Sequence, residues 1–181
     1  DEITKVYGGE PFDLEEMIEQ FRQIREWLAP MVVDSIDLID RYLREDKMVL
    51  FEGAQANMLD INYGTYPFVT SSSPTSAGVC EGAGVAPQKL DRIIGIVKAY
   101  ASRVGEGPFI TEQLNEIGDS LREKGAEYGA TTGRPRRTGW LDLPVVKQAV
   151  RINGITDIAI TKVDILTGYD QIPVCIGYDI D

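Results

Sequence analysis

The chain has 181 residues, which is enough for one domain with a hydrophobic core, and its 43% hydrophobic content is ordinary for a globular protein. Its formal net charge of −11 disfavours nonspecific binding to nucleic acid or to anionic lipid, because both are polyanions. No apolar run has the length of a membrane span, and the first residues lack the pattern of a signal peptide.

Cysteine and histidine usage narrows the chemistry further. Cys80 and Cys175 are the only cysteines, so they form no zinc motif and suit a reducing cytosol. Histidine is absent, which removes the commonest acid–base side chain and the commonest transition-metal ligand. Acid–base chemistry near neutral pH would therefore need carboxylates of shifted pKa or groups from elsewhere.

Two amphipathic helices are predicted at the start of the chain. Apolar residues recur at spacings of three and four over residues 13–28, and Asp13 is a suitable N-cap with Glu16 as its capping-box partner. Pro30 ends this helix or opens the next, which is predicted over residues 32–44. We expect a single domain over residues 1–181, with a helical segment at 1–46 and an α/β nucleotide-binding core at 47–181.

The rest of the chain alternates between strand and helix patterns. Buried strands are predicted at residues 48–51 and 158–160. A strand is also predicted in the later half of residues 90–104, where a helix is the alternative, and another at 172–178, where Pro173 is typical of an edge strand. Helices are predicted at residues 111–124, capped by Thr111 or the residue before it, and at 144–152. Long loops are predicted at 57–87 and 125–140. This alternation indicates an α/β fold with a mostly parallel sheet and flanking helices.

Two segments near the first predicted strand suggest ligand contacts. Residues 51–55, FEGAQ, follow that strand with polar side chains, and ligands of open α/β sheets bind outside the carboxyl ends of strands. Gln55 both donates and accepts hydrogen bonds, which suits the edge of a purine base. Residues 64–84 combine hydroxyls with glycine amides that could bind a phosphate, although no Walker lysine follows. A simple turn and a serine-rich surface loop are the alternatives.

The segment GATTGRPRRTGW, residues 129–140, predicts an anion site. Arg134, Arg136 and Arg137 fall within four positions of a chain whose net charge is −11. Guanidinium groups bind carboxylate or phosphate through paired hydrogen bonds, and Thr131 and Thr132 add hydroxyls and amides. A solvated loop paired with the acidic surface is the alternative.

The segment TKVD, residues 161–164, follows a predicted strand and resembles the Asn-Lys-x-Asp signature with which GTPases bind guanine. In that signature the aspartate accepts from the guanine N1 and N2 donors while the lysine stem lies along the ring. Thr161 replaces the usual asparagine, and Lys-x-Asp after a strand is common by chance.

Taken together and in their order along the chain, these segments resemble adenylosuccinate synthetase, and the resemblance covers this chain from about Met31 to about Ile176. VLFEGAQ, GTYPFVTSS, TTGRPRRTGWLD and TKVD all stand in family order. The resemblance implies a P-loop-NTPase-like, GTPase-related architecture that is incomplete in this chain. It also implies a cytoplasmic ligase of purine biosynthesis, a homodimer when full length. With Mg²⁺, the enzyme uses GTP to phosphorylate the 6-oxygen of IMP, and L-aspartate then displaces the phosphate to give adenylosuccinate.

The resemblance assigns binding residues by motif. For IMP it implies Gln55, Thr70, Val104 and Arg134; for L-aspartate, Thr131, Thr132 and Arg134; for GTP, Arg136, Lys162, Val163 and Asp164. It implies no metal ligand and no catalytic residue in this chain, because the family's phosphate loop, catalytic aspartate and histidine acid precede the matched region. The family's C-terminal segment is missing too. Asn62 and Pro135 depart from the common family pattern.

The chain alone is therefore expected to be inactive and to hold no cofactor. Two other classes of function stay open. One is a GTPase-like switch, which the lack of a Gly-x-x-x-x-Gly-Lys-Ser/Thr loop disfavours. The other is a non-catalytic α/β module that binds a nucleotide or an anion, or that only keeps the fold.

Overall fold

The computed structural model describes residues 2–179. The chain divides into two compact units, Asp1–Val49 and Leu50–Asp181. The expected single domain, with its division after residue 46, stays a prediction. Among the described helices, none combines the length and the apolar character needed to cross a membrane.

Within residues 2–49 the first unit has three α-helices, α1, Glu2–Lys5; α2, Leu14–Leu28; and α3, Ser35–Arg44, with a 3₁₀ turn at Ala29–Met31. The predicted helix over residues 13–28 is confirmed, and the Asp13 side chain accepts from the N–H groups of Glu15 and Glu16. The second helix begins three residues later than predicted. Asp34 caps it by accepting from the N–H groups of Ile36 and Asp37, so Val32 and Val33 lie outside the helix.

The second unit contains short strands and three helices, and its elements are α4, Ser76–Ala83; β1, Ile94–Lys98; β2, Ala101–Arg103; α5, Glu116–Gly125; β3, Arg137–Gly139; β4, Leu141–Asp142; α6, Leu143–Asn153; β5, Asp157–Thr161; and β6, Val174–Cys175. Strands β1 and β5 pair in parallel, as do β4 and β6, whereas β2 and β3 are antiparallel. The predicted α/β class with mostly parallel pairing is confirmed.

The core of the second unit lies where α5 packs against β3. Its buried side chains are Tyr100, Leu121, Trp140 and Leu166. Trp140 also meets the ring of Tyr169 edge to face, with ring centroids 5.7 Å apart. Trp140 ends the predicted anion segment 129–140, Leu166 lies two residues after Asp164, and Tyr100 lies four residues before Val104. The core therefore fixes the relative positions of these three segments.

Two predicted buried strands are wrong in part. Residues 48–51 form no strand because no strand of residues 2–179 pairs with them, and Met48 is 99% exposed. The predicted strand at 158–160 exists within β5, but Ile158 and Ile160 are exposed. A short apolar run predicts a strand, but the strand is buried only if helices or strands from elsewhere in the fold pack against its faces.

The predicted loops contain more structure than expected. The loop at 57–87 includes α4, which starts where the Ser76 N–H and hydroxyl both donate to Asn153. The loop at 125–140 ends in β3, and the predicted edge strand at 172–178 is only the two residues of β6. Helix α5 starts after Asn115, not Thr111, because the Asn115 side chain accepts from the N–H groups of Ile117 and Gly118.

Candidate functional site

Asp60 anchors the loop that contains Thr70. Its buried carboxylate accepts from the backbone N–H groups of Asn62 and Tyr63, at 2.9 and 3.0 Å, and from the Ser73 hydroxyl at 2.6 Å. The Ser73 hydrogen bond outweighs the opposing effect of burial and, with the two N–H groups, lowers the pKa of Asp60 below its ordinary value. Asp60 therefore stays ionised at neutral pH and fixes a tight loop.

Thr70 lies at the far end of this loop and is half-buried. Its N–H donates to the Leu59 carbonyl oxygen at 2.8 Å, which closes the loop. A Cβ atom at Gly64 would lie 2.4 Å from the Met58 carbonyl oxygen, so only glycine fits where the chain folds back. The loop is thus well ordered, and the phosphate contact of Thr70 stays a prediction.

Arg103 joins the Thr70 loop to Val104. Its guanidinium donates to the Thr65 hydroxyl at 2.9 Å and to the Phe68 carbonyl oxygen at 3.2 Å. Val104 follows directly and is 58% exposed. The two residues predicted for the phosphate and the ribose of IMP therefore belong to loops that one arginine holds together.

Gln55 and Lys162 share an unusual backbone conformation. Their φ angles are 73° and 61°, in the left-handed region that non-glycine residues rarely adopt. Strain of this kind concentrates at binding sites. The Gln55 side chain is exposed and has no hydrogen-bond partner among residues 2–179, so its contact with a purine base stays a prediction.

The three arginines of GATTGRPRRTGW have different surroundings. Arg134 is exposed, Arg136 donates to Glu127 at 2.8 Å, and Arg137 pairs with Glu112, its Nε donating at 2.7 Å. Arg137 also donates to the Gly105 and Gly107 carbonyl oxygens, so its guanidinium is bonded within the protein and holds β3 in place. The predicted anion cluster is reduced to an exposed Arg134 and a half-buried Arg136.

The tip of this loop is exposed and sparsely bonded. Thr131, Thr132 and Arg134 are all exposed. The Gly129 N–H donates to the Arg134 carbonyl oxygen at 2.9 Å, and Gly133 turns the chain with a φ of 65°. The hydroxyls and the guanidinium predicted for L-aspartate thus lie on one short turn. Among residues 2–179 their one hydrogen bond to the protein is from the Arg134 N–H to the Thr132 hydroxyl.

The base of the loop is held by Glu127, which is 1% exposed. Its carboxylate accepts from Lys98 at 2.5 Å, from the Tyr100 hydroxyl at 2.6 Å and from Arg136 at 2.8 Å. Burial opposes ionisation, yet the hydrogen bonds from Lys98 and Tyr100, the charge of Lys98 and the Arg136 bond lower the pKa of Glu127. Burial and the same carboxylate raise the pKa of Tyr100. Glu127 is therefore an ionised group in the interior.

The segment TKVD lies at the carboxyl end of β5. Lys162 turns the chain into a 3₁₀ turn, Val163–Leu166, and its Nζ donates to the Gly125 carbonyl oxygen at 2.8 Å. Val163 and Asp164 are exposed, and the Asp164 carboxylate has no hydrogen-bond partner among the described residues. The Asp164 carboxylate is thus free to accept hydrogen bonds, and its contact with guanine stays a prediction.

Five residues that shape the site were not singled out from the sequence: Asp60, Arg103, Glu112, Glu127 and Arg137 in its structural role. All five act on other residues through hydrogen bonds between distant segments. No local sequence pattern distinguishes Glu127 from the other 28 of the 29 acidic residues.

Among residues 2–179, no group of three or more Cys, Asp or Glu side chains is placed to hold a metal ion.

The chain is similar to adenylosuccinate synthetases along its whole length. The family model described as adenylosuccinate synthetase matches residues 1–181. The adenylosuccinate synthetase of Halothermothrix orenii is 56% identical over 97% of the chain, and that of Fusobacterium nucleatum is 56% identical over 99%. The chain spans only 41% and 42% of the length of these two relatives.

Solved structures agree with the sequence comparison. A fully ligated adenylosuccinate synthetase from Plasmodium falciparum superposes with a TM-score of 0.84 at 46% identity, over 95% of this chain and 41% of that one. The succinoaminodeoxyadenylate synthetase of cyanophage S-2L, bound to dGMP and to dATP as an energy donor, superposes with a TM-score of 0.59. At 22% identity over 71% of this chain and 39% of that one, the second likeness concerns the fold alone. Both agree with the predicted GTPase-related architecture.

Proposed function

We propose a function from one premise: the chain belongs to the adenylosuccinate synthetase family. Its relatives are enzymes of purine biosynthesis, and the chain corresponds to 41% of their length. We infer that the protein to which this segment belongs joins IMP and L-aspartate to form adenylosuccinate, in a reaction that consumes GTP.

One observation supports this proposal most directly. Strands β1 and β5 are parallel, so their carboxyl ends, at Lys98 and Thr161, lie at the same edge. Lys162 and Asp164 follow one end, and Lys98 at the other end is bonded through Glu127 to Arg136. The carboxyl edge of parallel strands is where α/β proteins bind nucleotides.

Each set of predicted residues has a chemical role in the proposal. Asp164 accepts from the guanine N1 and N2 donors, the stem of Lys162 and the backbone of Val163 line the base, and Arg136 meets the phosphates of GTP. The loop with Thr131, Thr132 and Arg134 binds the carboxylates of L-aspartate, with Arg134 also near the ribose of IMP. Thr70 contacts the IMP phosphate, Val104 its ribose and Gln55 its base.

Mg²⁺ is implied by the family as the ion that organises the phosphates. Residues 2–179 offer no group of three carboxylates for it, so its coordination is assigned to no residue of this chain. The catalytic acid and base are likewise expected outside the 181 residues. We further propose that the complete enzyme is a cytoplasmic homodimer, as the resemblance implies.

The proposal is tested with a chimera in which residues 1–181 replace the corresponding segment of the Halothermothrix orenii enzyme. We expect the chimera to make adenylosuccinate from IMP, GTP and L-aspartate, and the 181-residue chain alone to make none. A folded chimera without activity would instead favour a non-catalytic module.

The variant Asp164→Asn tests the guanine assignment within that chimera. Asn places a donor opposite a guanine donor, at a cost on the order of 1–3 kcal/mol, so the KM for GTP should rise about tenfold. XTP, which has an oxygen in place of the 2-amino group, should be used better than by the parent. Asp170→Asn, at an exposed carboxylate nearby, is the control and should leave both nucleotides unaffected. Unchanged use of GTP and XTP by Asp164→Asn would refute the assignment.

A further inference from the structure

The cluster around Glu127 contains one buried anion and two cations. Lys98 and Tyr100 donate to Oε1, and Arg136 donates to Oε2, at distances of 2.5, 2.6 and 2.8 Å. The side chains of Lys98 and Arg136 are 28% and 30% exposed, whereas that of Glu127 is 2% exposed. The buried carboxylate thus holds two partly exposed cations, and the cluster has one net positive charge in a chain of net charge −11.

Glu127 holds Arg136 at two points. Besides the side-chain ion pair, the Arg136 N–H donates to the Glu127 carbonyl oxygen at 2.9 Å. Only one of the guanidinium's two terminal nitrogens is bonded to Glu127. The buried Nε has no partner among the described residues. A guanidinium has five N–H donors, so Arg136 keeps donors for an anion while its direction is fixed.

The same short segment also holds Lys162. The Lys162 Nζ donates to the Gly125 carbonyl oxygen at 2.8 Å, two residues before Glu127. A Cβ atom at Gly125 would lie 2.2 Å from the Tyr100 hydroxyl oxygen, so Gly125 and Tyr100 are in close contact. Residues 125–127 and Tyr100 therefore support both Arg136 and Lys162, which the family resemblance assigns to GTP.

We propose that Glu127 is a positioning residue for GTP, which fixes Arg136 against the phosphates and joins it to the segment that tethers Lys162. The inference rests on the proposed function, because Arg136 matters to GTP only if that function is right. Glu127 does not touch GTP itself. Its carboxylate bonds Lys98, Tyr100 and Arg136 and no side chain of the turn between Gly129 and Arg134, so its removal should impair GTP use through Arg136 far more than IMP or L-aspartate binding.

The kinetic test uses the chimera with Glu127→Gln, which keeps the size and an acceptor for Tyr100 but removes the charge. We expect kcat/KM for GTP to fall about 10²-fold, the effect of misplacing a binding group by about 1 Å, while KM for IMP and L-aspartate stays within about twofold. Glu81→Gln is the matched control, since Glu81 is exposed on α4 and without a side-chain partner in residues 2–179. Equal losses for all three substrates would overturn the inference.

A double-variant cycle separates positioning from a general structural role. If Glu127 acts through Arg136, Glu127→Gln should add little to the loss caused by Arg136→Ala, whereas independent effects would multiply. Multiplied effects would refute the positioning role. If Arg136→Ala alone leaves GTP use unchanged, the GTP assignment of Arg136 in the proposed function fails instead.

A third measurement needs no variant and no activity. In the unmodified 181-residue chain, the NMR signals of the Arg136 guanidinium should show slow rotation, because Glu127 holds it. A freely rotating Arg136 guanidinium would overturn the inference even if Glu127→Gln does not fold.

Discussion

Several acidic side chains of this protein accept hydrogen bonds from backbone N–H groups. Asp13, Asp34 and Asp142 do so at the first turns of α2, α3 and α6, where they also meet the positive end of the helix dipole. Asp60 does so inside a loop. Part of the net charge of −11 is therefore structural, and part of the stability depends on these carboxylates staying ionised.

The variant Asp60→Asn should make the protein less stable and less sensitive to acid. Because the folded state lowers the pKa of Asp60, its contribution is complete above about pH 4, the ordinary value, and is lost as the pH falls through the lowered value. Asn keeps one acceptor for the two N–H groups and loses the charged bond to Ser73, so we expect a loss of about 1–3 kcal/mol at pH 7. Denaturant unfolding between pH 2 and pH 7 would measure both effects.

Asp91→Asn is the control for this experiment. Asp91 is exposed, and its side chain has no hydrogen bond or ion pair within the described part of the chain. Its replacement should leave the unfolding free energy nearly unchanged at pH 7. If Asp60→Asn behaves like Asp91→Asn, the buried carboxylate does not stabilise the loop.

The elements differ in how firmly they are held. The turn between Gly129 and Arg134 has three hydrogen bonds of its own, whereas its flanks are fixed by Glu127 on one side and by β3 on the other. Residues 137–139 of β3 pair with β2, and the next residue, Trp140, is buried in the core. The loop is a short exposed turn on a rigid base.

Hydrogen exchange should reproduce this contrast. The N–H groups of Ala130, Thr131 and Thr132 have no acceptor among the described residues, so they should exchange nearly as fast as in an unfolded chain. The Trp140 N–H donates to Thr111 at 3.1 Å and lies in the core, so it should exchange slowly and serves as the internal reference. Slow exchange at residues 130–132 without a ligand would show that the loop is packed, as expected of a structural domain.

At the scale of the whole molecule, much apolar surface is exposed. The chain is 43% hydrophobic, yet within residues 2–179 only Val85, Tyr100, Leu121, Trp140 and Leu166 are buried hydrophobic residues. Exposed isoleucines stand on both faces of the β1–β5 pair: Ile94 and Ile96 on one face, Ile158 and Ile160 on the other. Exposed apolar patches of this kind bind other apolar surfaces.

We therefore expect the isolated 181-residue chain to bind the dye ANS, with a large part of the signal due to the β1–β5 pair. The double variant Ile96→Thr and Ile160→Thr keeps a β-branched side chain at each position, so it should lower dye fluorescence without changing the circular dichroism spectrum. Leu114→Thr, at an exposed leucine outside the strands, is the control. Equal fluorescence from the parent and the double variant would show that these strands are covered in solution.

Elements with local signals could be predicted from the amino-acid sequence alone. The helix capped by Asp13, the strand around Ile158 to Ile160 and the mixed α/β class follow from periodicity and capping, which depend on neighbours a few residues apart. The family also follows from the sequence, because long ordered motifs are specific. The binding roles of Gln55, Thr70, Val104 and the loop residues come from that resemblance and stay predictions.

Which polar residues are buried, and what each arginine contacts, depends on the three-dimensional packing of distant segments. Arg134, Arg136 and Arg137 are indistinguishable as a sequence cluster, yet one is exposed, one is held by Glu127 and one is paired with Glu112. Likewise, residues 48–51 have the composition of a strand but no strand pairs with them among residues 2–179. Partners distant along the chain make these differences, since the energy of a buried charge or of a strand depends on groups that no local pattern contains.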